Sequence, residues 1–212
     1  MEDLRLVEDR LRAEYVDLSP ALRRLLIAIE TEINYILLPV RLDLQRHEQI
    51  IVRARVKDCE SAVDSLRRRQ KLASFDANHP ASYSLTALPD LVGARILAFP
   101  QRRLADVQRI IASRIDGWVA DPVPGDESGE DAIALKYHGL WSPSDLVRSE
   151  IQFVSLLTGL FWDVEHSAIY KPSPKLRGIA RSMAMKSRIS AVHNALRSFE
   201  EEFEQQIAGT SE

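Results

Sequence analysis

The sequence predicts an α+β domain: a mixed β-sheet of about five strands flanked by helices, with helical extensions at its N- and C-terminal ends. Three observations point there. Leu22, Leu25, Leu26, Ile29 and Ile33 recur at helical spacing near the start of the chain. From Gln49 the pattern changes to alternation, with Ile50-Ile51-Val52-Arg53-Ala54-Arg55-Val56-Lys57 setting β-branched residues against cations. Further strand-like and helix-like runs then follow in the order helix, strand, helix, a short strand, a hairpin and helices, without internal repeats.

Residues 1 to 45 read as helix, with a break expected at Asp17-Leu18-Ser19-Pro20, where Ser19 can cap and Pro20 needs no N–H in a first turn. In the first strand Val52, Ala54 and Val56 should face one way, and Arg53, Arg55 and Lys57 the other. Residues 58 to 72 read as a helix capped by Asp58, with Arg67-Arg68-Arg69 near its end. Residues 73 to 89 are rich in turn formers and read as a loop. A strand is expected over 90 to 99 and a helix over 101 to 114, ended by Gly117 before a short strand at 118 to 120. Residues 121 to 130 hold two prolines and four acids and read as a mobile loop. A tight hairpin is expected from 132 to 141 and 146 to 153, then a helix over 154 to 169. After Pro172 and Pro174 a final helix should run from 175 to 207, with cations in its first half and Glu200-Glu201-Glu202 in its second.

Composition bounds the function. The chain has 212 residues and a formal net charge of −3, so no global field draws in nucleic acid and phosphate binding must rest on a local cluster. The one cysteine, Cys59, excludes an internal disulfide and fits a reducing cytoplasm. No apolar run approaches the ~20 residues that a membrane span requires.

The stretch Asp90-Leu91-Val92-Gly93-Ala94-Arg95 sets a carboxylate at the mouth of an apolar run and an arginine inside it. Burying both charges is costly unless they face a ligand or each other's partners, and the stretch reads as the metal-holding strand of a nucleotide site.

Three stretches together resemble the synthetase domain of the RelA/SpoT family, the (p)ppGpp synthetases, in its small stand-alone form. Arg55-x-Lys57-x-x-x-Ser61 matches the signature R-x-K-x-x-x-S, and Asp90 to Ile96 looks like D-L-x-G-x-R-I. Glu150-Ile151-Gln152, Trp162-Asp163-Val164-Glu165-His166 and Tyr170-Lys171 are similar to the E-I-Q, W-x-x-x-E/S-H and Y-K series. The resemblance implies a nucleotidyltransferase-like fold and an ATP-dependent pyrophosphokinase whose acceptor is the ribose 3′-hydroxyl of a purine nucleotide. Such a transfer needs Mg²⁺ on carboxylates, cations along the triphosphate and a group near the attacking oxygen. The resemblance assigns Asp90 and Glu150 to catalysis and to Mg²⁺, and Arg55, Lys57, Ser61 and Arg95 to ATP, with Arg55 and Arg95 sandwiching the adenine. Tyr137, His138, Gln152, His166 and Lys171 fall to the acceptor, with Tyr137 stacking on its base.

The acceptor side departs from the family. Lys136-Tyr137-His138 lacks the glycine before tyrosine and places histidine where arginine is expected, and Val154 replaces a second arginine. Ser65 stands where many members carry lysine, and Arg67 is a candidate substitute. The alternative is therefore a toxin-type member that pyrophosphorylates the 3′ end of tRNA, bound through cations from Lys171 to Arg188 and held in check by an antitoxin protein. A catalytically dead nucleotide-binding module is the alternative of another class. The expected organisation is a single domain over 1–212, with a helical extension at 1–48, a catalytic core at 49–171 and a C-terminal helix at 172–212. No hydrolase or regulatory domain is expected beside it, and a cytoplasmic homo-oligomer is the expected state.

Overall fold

The computed structural model describes residues 2–70, 83–124, 132–142, 144–165, 167–168 and 183–209. Among them, no helix is long and apolar enough to cross a membrane.

Helix α1 (Glu2–Ile36) is continuous through Pro20, against the expected break. A helical proline costs about 3 kcal/mol, but both halves bury one stripe, Leu11, Leu22, Leu25, Ile29 and Ile33, in the same core. Burial of several large side chains outweighs one lost hydrogen bond. A short α2 (Leu38–Leu42) leads to strand β1 (Gln49–Val56) and then α3 (Cys59–Gln70). Asp58 caps α3 as expected, its carboxylate accepting the Ser61 N–H at 2.9 Å.

Strand β2 (Val92–Phe99) precedes α4 (Gln101–Ile111), whose last turn tightens into a 3₁₀ segment, and Gly117 turns the chain at φ 74°. Strand β3 (Val119–Pro124) extends further than predicted, so Asp121 to Pro124 are strand and not loop. It forms an edge of the sheet, the place where strand prolines cost no ladder bond. Residues 125–131, the rest of the expected loop, lie outside the described residues. Strands β4 (Ala132–Leu140) and β5 (Arg148–Ser155) form the hairpin, then come α5 (Leu156–Glu165) and α6 (Met183–Gly209).

The sheet order is β1-β2-β5-β4-β3, parallel only between β2 and β5. The five-stranded mixed sheet and the helices at both ends are those the sequence predicts. The back face carries Val52, Ala54, Ala94, Ile96, Ile151 and Phe153 against α1 and α4 and forms the main core. The opposite, front face is apolar only at one end, where Leu97, Ala134 and Val154 pack with Leu156 and Trp162 of α5. The rest of that face is polar apart from the exposed Val119 on the edge strand.

Candidate active site

Strand alternation and register build the polar front face as two rows across the sheet. One row runs Arg53–Arg95–Gln152–Lys136–Asp121, and the next runs Arg55–Gly93–Glu150–His138. Gly93 is the gap in the second row. A Cβ there would lie 2.9 Å from the Glu150 carbonyl oxygen, so only glycine allows β2 and β5 this approach, and the space above it stays open between Arg55 and Glu150. A cavity of about 240 Å³ results, walled by Arg53, Arg55, Arg95, Glu150, Gln152 and Asp163.

The arginines in this cavity are held differently. Arg95 donates through Nε to Gln152 Oε1 at 2.9 Å and through a terminal nitrogen to Asp163 at 2.8 Å, and its guanidinium lies 5.7 Å from the Trp162 ring centroid. Arg53 also pairs with Asp163. Arg55 is exposed and stands opposite Gly93 in the register of the sheet. Gln152 passes the chain on by donating to Glu150, which is 8% exposed. The other Glu150 oxygen stands 3.7 Å from His138 Nε2, which is itself 3.6 Å from Asp121. Five strands and one helix thus contribute to one connected polar network.

Asp90 lies in the turn before β2 rather than in the strand, and joins Lys57 rather than the cavity wall. Lys57 continues the cationic parity of β1 and also reaches Ser65 Oγ at 3.4 Å. One Asp90 oxygen takes this ion pair; the other, Oδ1, is buried with no hydrogen-bond partner among the described residues. Ser61 lies in the first turn of α3, directly after this pair.

Of the expected site residues, the structure gathers Arg55, Arg95, Glu150, Gln152 and His138 on the front face, and sets Lys57, Asp90 and Ser61 at one end of it. Tyr137 requires a correction. Its cross-strand partner is Ile151, whereas Glu150 faces His138, so the tyrosine points to the back face. There its ring meets Phe153 edge-on at 5.8 Å and its hydroxyl accepts from Gln108 of α4 at 2.7 Å. Arg67 pairs with Glu8 and Asp64 on the outside of α3 and does not replace the missing lysine. His166 and Lys171 lie outside the described residues, as do Lys175, Arg177 and Arg181. Sequence reasoning misses Asp163 and the ring contact of Trp162. Both sit in a stretch that carries a motif, but nothing local says that Asp163 would meet two arginines from β1 and β2.

No protein-family model and no curated protein matches this chain. Solved structures do. The small alarmone synthetase 1 from Bacillus subtilis bound to AMPCPP superimposes with a TM-score of 0.65 at 20% identity, covering 94% of this chain and 99% of that one. The same enzyme bound to its product pppGpp gives 0.63 at 20% identity, covering 96% and 100%. A GTP pyrophosphokinase family protein from Streptococcus pneumoniae gives 0.57 at 17%, covering 93% and 91%. Over more than nine-tenths of its length, therefore, this chain has the fold of the small alarmone synthetases.

Proposed function

We propose that this chain is an ATP-dependent pyrophosphokinase that transfers the β,γ-diphosphate of ATP to the ribose 3′-hydroxyl of a purine nucleotide, forming an alarmone of the (p)ppGpp type. The observation that carries the reading is the front-face cavity. It combines a glycine gap, two flanking arginines and a buried carboxylate on a fold whose solved relatives include one bound to AMPCPP and one bound to pppGpp.

Arg55 and Arg95 flank the space above Gly93 from neighbouring strands, an arrangement suited to holding a flat base between two guanidinium planes. Arg53 and Lys57 extend the cationic edge on either side of Arg55, toward which a triphosphate can run. The acceptor oxygen forms its bond to the β-phosphorus, the bond from that phosphorus to the oxygen bridging to the α-phosphorus breaks, and AMP leaves. The hydroxyl proton passes to Glu150, which Gln152 orients from one side and His138 flanks on the other. Asp90 and Glu150 offer hard carboxylate oxygens, and the buried unpartnered Asp90 Oδ1 fits a metal ligand. Mg²⁺ held there would supply charge neutralisation along the transferring diphosphate.

The test is mass spectrometry of the products formed from labelled ATP with GDP, GTP, AMP, ADP or tRNA offered in turn. A 3′-diphosphate on a free purine nucleotide is the expected product, and it should require Mg²⁺. Labelling of tRNA alone would replace this reading with the toxin-type one, and no transfer to any acceptor would leave a nucleotide-binding module. Glu150→Gln and Asp90→Asn should each cut turnover by well over tenfold, more than ~1.4 kcal/mol of transition-state stabilisation, with folding retained.

A further inference from the structure

A second cavity lies between α4, the start of β4 and α6, with a volume of about 550 Å³. Its inner wall is unusual in chemistry. His193, Arg197, Glu200 and Glu204 recur at i, i+4, i+7 and i+11 of α6, so one continuous polar stripe of that helix faces inward. Part of that stripe is used within the fold, Glu204 accepting the Arg102 N–H at the start of α4. His193 is 8% exposed and Glu200 only 1%, and Ser155, the last residue of β5, and Thr158, in the first turn of α5, complete a buried polar end.

Two atoms of this wall lack partners among the described residues, Glu200 Oε1 and His193 Nδ1. The Glu200 carboxylate is otherwise held by the Ser155 hydroxyl and the Leu157 N–H, and His193 Nε2 lies 3.2 Å from a Glu165 oxygen. A carboxylate at Nε2 favours the proton on that nitrogen, which leaves Nδ1 as an acceptor. His193 Nδ1 and, in its ionised form, Glu200 Oε1 are therefore acceptors, on one face of α6 and two helical turns apart, and a cationic donor from a ligand would satisfy both and favour the ionised carboxylate. Leu104, Ala105 and Leu135 supply an apolar wall between them. Three lining carboxylates, Glu200, Glu201 and Glu204, face two guanidiniums, of which Arg102 is paired with Glu48 at 2.9 Å. That balance disfavours a polyphosphate.

We propose that the cavity between α4, α5 and α6 binds an alkyl polyamine, its nitrogens donating to Glu200 and His193 and its methylenes lying against Leu104 and Leu135. The site is independent of the front-face cavity and of the reaction proposed there.

The probe is spermidine, titrated calorimetrically into the full-length chain, with butylamine and GTP run alongside. Spermidine should bind at a single site and raise Tm by several degrees at saturation. Butylamine, which satisfies only one acceptor, should bind at least about tenfold more weakly, a difference of about 1.4 kcal/mol. Glu200→Gln should weaken spermidine binding about tenfold or more. Ala105→Leu, an exposed position on α4 that fills the cavity without altering any charge, should abolish it while circular dichroism stays unchanged. Absence of spermidine binding to the wild type overturns the proposal, as does binding that both substitutions leave intact. GTP displacing spermidine competitively would overturn it too, since it would assign the cavity to a nucleotide.

Discussion

At the scale of single residues, the candidate site depends on how Arg95 is restrained. Gln152, Asp163 and the Trp162 ring fix its guanidinium from three sides. If ATP binds as proposed, holding it there beforehand would spare ordering entropy, about 0.5–1.5 kcal/mol for such a side chain. Asp163→Ala frees one side of Arg95 and removes the ion pair that restrains Arg53. The KM for ATP should rise about fivefold while the acceptor KM and kcat hold steady. An unchanged ATP KM would reduce Asp163 to a surface tie between α5 and the sheet, worth under ~1 kcal/mol. Arg55, Arg95, Glu150 and Gln152 are legible in the sequence because each stands in a motif on a recognisable strand. Asp163 is hidden because its partners are 110 and 68 positions away.

Among the elements, the parallel pairing of β2 with β5 is what assembles the cavity. It brings Gly93 against Glu150 closely enough that a methyl group would strike backbone, which cannot rotate away as a flexible side chain could. Gly93→Ala should therefore lower stability by roughly 1–3 kcal/mol, the usual cost of overpacking, and should reduce turnover as well by displacing Glu150. Thermal unfolding and steady-state kinetics would measure both; wild-type values for the pair would show that the gap has no role. Element boundaries are the least legible feature. Pro20 reads locally as a helix start and the two prolines of β3 read as a loop, yet tertiary burial carries α1 through the first, and an edge position accommodates the others.

For the molecule as a whole, two buried carboxylates set opposing pH dependences. Burial raises the Glu48 carboxyl, but the Arg103 hydrogen bond, the Gln45 N–H and Arg102 together hold it at about 2. Its contribution is complete above the ordinary carboxylate value and is lost as pH falls toward 2. Glu200 behaves in reverse: burial raises it to about 7, against the Ser155 and Leu157 hydrogen bonds. The folded state then holds a proton that the unfolded state has released, so stability falls as pH rises from about 4.5 to 7. Chemical denaturation should give lower stability at pH 8 than at pH 5, by up to about 3 kcal/mol, and Glu200→Gln should remove most of that slope. An equal slope in the glutamine variant would show that other groups cause it.

The sequence by itself determined which residues share a face, because side-chain direction in a strand has period two and in a helix period 3.6, both strictly local. That is why the cationic side of β1 and the apolar stripe of α1 are legible from local pattern alone. The tertiary structure decided which faces meet, because register and strand order are set by packing between distant segments. A one-residue choice of register put His138 and not Tyr137 beside Glu150, and the docking of α6 turned a polar stripe, legible only as a charged helix, into the wall of a second cavity.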